Sequence, residues 1–329
     1  MRPRGWERRG CALLSAFGFA LILPASVDAQ AWVSPQGEGS VSVLYQHIYV
    51  QDHLFSDGSR SDVGHIRAHN LIVDIDYGLT DRVSLSASLP FVASKYNGLR
   101  PHRHENGATV DDGTYQRGLQ DVRFDVRYNA VELPVSITPF AALNMPSHDY
   151  EFFAHSAIGL NLTEAQLGLY AGTVRAPFYV QGRYSFGVFD RVIGRRRNRS
   201  NIDAEVGWFV SPRLRVFAFE LGQISHGGIE LVRDLFPRNL TAEEFHHHDQ
   251  LARANILDVG GGAALALTPS MSVVGSVLRT VTGVNTHADT YGLSVAASWT
   301  FGGRGQRRRG SESARSSARA QQVLASRGR

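Results

Sequence analysis

Residues 291–301 read YGLSVAASWTF, with Tyr291, Leu293, Val295, Ala297, Trp299 and Phe301 at odd positions and Gly292, Ser294, Ala296, Ser298 and Thr300 between them. A period of two held over eleven residues is a β-strand with one apolar face. Two environments ask for such a strand. A soluble sandwich would meet it with a second sheet across a shared core. A membrane barrel would instead use strands of about 9–11 residues, apolar outside and polar inside, with aromatics at both interfaces.

Segments of the same kind recur along the chain. Residues 71–77 (LIVDIDY) and 83–89 (VSLSASL) flank a turn at 78–82 and, Ile72 apart, keep their apolar residues on odd positions. The pair 122–128 (VRFDVRY) and 135–141 (VSITPFA) follows. Further pairs are 165–171 with 178–186, 202–210 with 214–221, and 257–267 with 271–281. With 41–49 first and 291–301 last, about twelve strands are expected, a number in the range of antiparallel up-and-down barrels. Short connections at 78–82, 129–133, 172–177, 211–213 and 268–270 alternate with longer polar ones at 51–66, 93–117, 147–161, 190–200, 223–254 and 282–290. Sorting of connections by length fits an outer-membrane barrel and not a sandwich.

Charge placement supplies an independent reason. Asp74, Asp76, Asp121, Arg123, Asp125, Arg127, Arg183, Asp203, Glu205 and Asp258 all fall in the phase opposite the apolar residues. A charge on the lipid face at mid-depth costs roughly 2–4 kcal/mol for arginine, so these ten are expected to line the lumen. Glu220 and Arg279 break the phase, and both are expected near upper strand ends, where the cost is small or a bulge re-aims them. Tyr77, Tyr128, Trp208 and Trp299 fall near lower strand ends and Phe91, Phe186 and Tyr291 near upper ends, as two aromatic girdles would require.

The ends of the chain differ from its body. Arg2, Arg4, Arg8 and Arg9 precede the apolar run CALLSAFGFALILP, and Val27-Asp28-Ala29 offers small residues for cleavage. Residues 1–29 therefore read as a secretory signal peptide, the alternative being a membrane anchor for which the run is short. Cys11, the single cysteine, lies inside it. Residues 302–329 are rich in Arg, Ser, Ala and Gly and read as a disordered basic tail. The formal charge of +4 comes from these ends: without residues 1–29 and 302–329, 22 basic residues face 27 acidic ones, a net of −5. That excludes the general basicity of nucleic-acid binding. Residues 30–301 form the expected barrel, placed in the outer membrane of a Gram-negative bacterium with both termini periplasmic.

The blocks YGLTDRVSLSASLPFV (77–92), GLQDVRFDVRYNAV (118–131) and RTVTGVNTHADTYGLSVAASWTF (279–301) resemble the outer-membrane protein family named for the MetA pathway of phenol degradation. The resemblance runs over about residues 40–301 and implies an exported transmembrane β-barrel linked to transport, with aromatic or hydrophobic compounds as solutes. Its motifs are structural, and it carries no catalytic or binding residue across. It does not extend to the 223–254 loop or the tail.

Candidate chemistry sits in the connections. His102-x-His104 and His246-His-His248-Asp249 offer imidazole and carboxylate ligands suited to zinc, copper or nickel, although most of the histidines fall in polar loops where no metal is needed to explain them. Thr241-Ala-Glu-Glu244 is a capping box, so 242–253 is expected to form a short helix that either narrows the mouth or lies over the rim. Gly260 and Gly262 lie in the lumen phase, where Phe217 and Phe219 could cover them. Lipid hydrolases occur on barrels of this size, but His155-Ser156 and Ser225-His226 are chain neighbours, and neighbours on a strand point to opposite faces. No enzyme and no cofactor are expected. The leading function is an outer-membrane channel or transporter for small molecules; the rival is a closed barrel acting as a surface-binding or structural protein. Expected partners are outer-membrane lipid and lipopolysaccharide, a small-molecule solute, and the barrel assembly machinery through the closing strand 291–301, with no nucleic acid.

Overall fold

The computed structural model describes residues 31–302. The expected signal peptide and, apart from Gly302, the expected tail lie outside the described residues. Thirteen strands form one antiparallel sheet: β1 (Gly39–Leu54), β2 (Arg60–Gly78), β3 (Val83–Asn97), β4 (Gln116–Leu119), β5 (Asp121–Tyr128), β6 (Ser136–Pro146), β7 (Glu164–Arg175), β8 (Phe178–Phe189), β9 (Arg197–Phe209), β10 (Leu214–Gly227), β11 (Asn255–Thr268), β12 (Met271–Val284) and β13 (Thr286–Phe301). Both β4 and β5 pair with β3, on either side of Gln120, so they are two halves of one interrupted strand and the wall is twelve strands around.

The opening stretch closes the ring. β13 pairs with β1 from Gly39 opposite Phe301 to Leu54 opposite Thr286, leaving no strand edge for lipid to leave unsatisfied. Val295 is 62% exposed, Leu167 70%, and Leu71, Ile75, Phe124, Val180, Val206, Val277 and Leu293 also point outward. In water such a continuous apolar band would drive aggregation; in a bilayer it is the surface the acyl chains cover. Tyr77, Tyr128, Trp208 and Trp299 remain exposed toward the end of the short turns, where amphipathic rings favour the headgroup level.

The sorting of connections by length needs correction. Residues 51–54 and 60–66 are strand and leave a turn of only 55–59, while a single residue, Asn285, joins β12 to β13. The reason is physical: strands of 14–19 residues outrun the about 9–11 that cross a bilayer. Beyond the lipid no outward apolar face is demanded, and the sequence there resembles a loop. The long connections that remain are 98–115, 147–163 and 228–254.

Candidate functional site

Interior and exterior are separated by which side chains reach across a strand. Arg127 of β5 bonds to Asp76 of β2 and, at 2.8 Å, to Ser86 of the intervening β3. Arg123 reaches Gln166 of β7 at 2.8 Å, passing over β6. Arg199 of β9 grips Glu164 of β7 with two bonds of 2.7 and 2.8 Å, passing over β8. Chords of this kind fit only on the concave side of a closed wall.

The ten charged residues read from the sequence are placed as follows. Asp76 and Asp125 both face Arg127, and Asp125 also lies 3.3 Å from Arg123. Arg183 pairs with Asp203 on the adjoining strand. Glu205 accepts a bond of 2.6 Å from the Tyr179 hydroxyl, which in turn accepts one of 2.7 Å from Arg215. Three acids are held by hydroxyls instead of arginines: Asp121 by Tyr150, Asp258 by Thr280 at 2.7 Å, and Asp74 by Ser88 of the adjoining strand. Sequence reasoning missed Arg199, Glu164 and Arg215. The phase of Asp203 and Glu205, run backward through Asn201, would have found Arg199.

The wall is not charged all round. Leu44, Ala296, Val274 and Ala264 form one cross-strand row over β1, β13, β12 and β11, joined by Phe217 and Phe219 in a single apolar cluster. The phenyl rings lie over glycines as anticipated: a Cβ on Gly260 would stand 2.4 Å from Phe219, and one on Gly262 would stand 2.8 Å from Phe217. Glu220 and Arg279 stay outward in one row with Val259 between them, so no bulge turns them inward.

Both ends of the barrel are covered. At the short-turn end, residues 31–38 run from β1 to the opposite wall, where the Ala31 carbonyl accepts bonds from Ser136 (2.7 Å) and Thr138 (2.8 Å) of β6. Ala31 is fully buried and packs with Trp32, Phe140, Ala142 and Tyr170. Gly172 makes room for it, since a Cβ there would lie 2.7 Å from Ala31. Nothing in the sequence reading foresaw this strap.

At the other end the connections form a cap. Phe55, Leu162, Phe189, Val192, Ile229, Leu231, Leu251 and Ala252 share one buried cluster. The expected helix is present but shorter, as α1 (Ala242–His246) and α2 (His248–Leu251), with the Thr241–Glu244 capping box formed. His155, between β6 and β7, packs 5.3 Å from His287 of β13 across the ring, so the cap spans the mouth and does not merely lie along the rim.

Of the histidines proposed from spacing, the cap gathers His102 and His248, whose rings stack 5.7 Å apart. It leaves His104 outside, and it turns His246 against Phe152 and Phe153. The partners of His102 are instead Asp111 and His155. His102 Nδ1 lies 2.8 Å from Asp111 and the His155 ring 4.4 Å from that of His102. Burial raises the Asp111 carboxyl, but the bonds from His102 and Ser156 outweigh it and hold the group well below the usual carboxylate range. Burial and the neighbouring His287 and His102 push the His155 imidazole far down, so it is neutral at neutral pH.

Neither chain-neighbour Ser–His pair forms a nucleophile–base contact: Ser156 donates to Asp111 at 2.6 Å and Ser225 to the Ala254 carbonyl at 2.6 Å. His226 turns instead to Ser200, 2.9 Å away, on the outward face beside Phe186.

A closed twelve-strand wall with an apolar exterior and a polar, partly charged interior defines the class: an outer-membrane β-barrel. No family model and no curated protein sequence matches the chain. Among solved structures, the COG4313 outer membrane channel from Pseudomonas putida F1 aligns with a TM-score of 0.64 at 16% identity, over 84% of this chain and 100% of that one. The NanC porin aligns with a TM-score of 0.45 at 11% identity, over 79% of this chain and 98% of that one. The translocator domain of the autotransporter NalP from Neisseria meningitidis gives 0.48 at 12%, over 82% and 90%. At 16% identity the likeness to the first of these is one of fold.

Proposed function

We propose that this protein is an outer-membrane channel or transporter for small molecules, in a resting state covered at both ends. The observation that carries the reading is the divided lumen wall, with most of the paired charges on β2–β9 and the apolar row with Phe217 and Phe219 on β10–β13 and β1, where Arg215 and Asp258 are charged exceptions. A small aromatic or hydrophobic compound with one polar group could lie along both sectors at once. Such solutes are also what the family resemblance implies. Solute discrimination would come from the field of Asp121, Arg123, Asp125, Arg127, Arg183, Asp203 and Glu205. Lipid and lipopolysaccharide would surround the apolar band, strand 291–301 would engage the assembly machinery, and both termini would be periplasmic; nucleic acid and catalysis play no part.

One observation favours the rival reading, a closed barrel acting as a surface-binding or structural protein: strap and cap together obstruct the axis. Planar-bilayer recording and liposome swelling with small aromatic acids, sugars and nucleosides separate the two. Solute-dependent swelling supports transport. No current and no swelling, with or without the strap, supports the rival.

A further inference from the structure

The cap collects more imidazole than its packing requires. His102 and Asp111 come from the connection after β3, His155 from that after β6, His248 from α2, His287 from β13 and His53 from the end of β1. Successive ring centroids are 4.4 Å (His102–His155), 5.3 Å (His155–His287) and 4.9 Å (His287–His53) apart. Two imidazoles on one tetrahedral ion have centroids about 5 Å apart, because the metal–nitrogen distance is about 2.1 Å. The donor atoms of His102, Asp111 and His155 all lie within 4.8 Å of one another.

These positions are built and not incidental. The Asp111 side chain has no solvent exposure. One oxygen accepts from the Ser156 N–H (3.0 Å) and hydroxyl (2.6 Å), and the other from the backbone N–H groups of His102 (3.1 Å) and His155 (3.4 Å) as well as from His102 Nδ1. One carboxylate thus fixes the backbones of both histidines from two separate connections, as supporting hydrogen bonds do around metal ligands. The Nδ1 atoms of His53 and His287 are buried without a hydrogen-bond partner, so imidazole lone pairs or protons remain unsatisfied within the cluster.

We propose that the cap binds one divalent ion of the zinc, copper or nickel class through His102, His155 and Asp111, with His287 beside the fourth position. On binding, His102 Nδ1 gives its lone pair to the ion, and the proton it held against Asp111 passes by way of solvent to Nε2 of the same ring, which stays neutral. The 2.8 Å contact then opens to the roughly 3.4 Å separation of two donors on a tetrahedral ion. The ion would tie the neighbouring connections after β3 and β6 to each other at the mouth. This site stands whether or not the barrel transports.

The test uses full-length protein folded in detergent micelles, stripped with a chelator, desalted and titrated with Zn²⁺ by calorimetry, with bound metal counted by mass spectrometry. One equivalent per chain is expected in the wild type. His155→Ala and Asp111→Asn should each weaken binding at least tenfold, while His104→Ala and His246→Ala should leave it unchanged. Heat-shifted gel migration checks that each variant is folded. Should the cap variants misfold, Co²⁺ loaded into the wild type decides: imidazole N–H resonances shifted by the paramagnetic ion support the site. No stoichiometric retention by the wild type, unchanged affinity in folded His155→Ala, or loss confined to His104→Ala or His246→Ala would overturn it.

Discussion

Val295→Arg tests the orientation of the whole wall. Val295 lies four residues from Tyr291 and four from Trp299 on β13, and all three point outward. At about 3.4 Å per residue and a strand tilt of about 40°, four residues rise about 10 Å. The two rings are thus about 21 Å apart in height, close to the roughly 25 Å of an outer-membrane apolar band, and Val295 sits at its middle. An arginine there should cost about 2–4 kcal/mol, against about 0–1 kcal/mol for Phe301→Arg at the strand end. The larger cost is roughly a thirty- to several-hundred-fold loss in folding equilibrium. Urea titration of folding into phospholipid vesicles, followed by tryptophan fluorescence, reads both, and Val295→Ala subtracts the loss of the native side chain. Equal costs for Val295→Arg and Phe301→Arg would refute the placement of this face in lipid.

Three other perturbations follow from the interior and the rim. Arg127→Met should cost about 3–5 kcal/mol in the same titration, because it leaves Asp76 without its buried guanidinium partner; adding Asp76→Asn should recover part of the loss, and independent, additive effects would refute the pairing. Deleting residues 31–36, or introducing Gly172→Val against Ala31, should raise single-channel conductance severalfold while the barrel still shows its heat-shifted migration; unchanged current would show that the strap does not limit passage. Phospholipid hydrolysis by the pure protein in detergent should be absent, and hydrolysis abolished by Ser200→Ala would make the Ser200–His226 contact a catalytic one.

What could be read from the chain was what lipid imposes. In residues 73–77 and 291–301 the alternation is strict because one face meets acyl chains and the other does not, so the phase and the closing strand were visible. Above the lipid that demand ends: 60–66 and 286–290 are strand, yet their Asp, His and Arg residues carry no period to betray it. The metal candidates show a different failure. His102 and His104 are close in sequence, but a carboxylate nine residues away and a histidine from another connection are what the fold brings to His102. Convergence of two separate connections depends on how the strands place them side by side and leaves no local spacing. The strap is invisible for a similar reason, since residues 31–38 form no strand beyond the start of the β1 ladder and are held by hydroxyls 105 and 107 positions away.

The two coverings are unequal, and the inequality says which end would open. Residues 31–36 of the strap are held by Ser136 and Thr138 on Ala31, by Ser34 on Asp76, and by Asp81 on the Gln36 backbone. At about 0.5–1.5 kcal/mol net for each hydrogen bond, these contribute about 2–6 kcal/mol, with only Ala31 and Trp32 adding apolar burial at the far wall. The cap buries Phe55, Leu162, Phe189, Val192, Ile229, Leu231 and Leu251 together, each worth about 1.5–3 kcal/mol. It adds Arg197 on the Ala252 carbonyl and Gln250 on that of Leu160. Freeing the strap requires breaking a few bonds at one end of a short segment, whereas lifting the cap requires separating several connections at once. A solute path that opens reversibly therefore opens first at the short-turn end, and the cap remains the fixed structure against which that movement occurs.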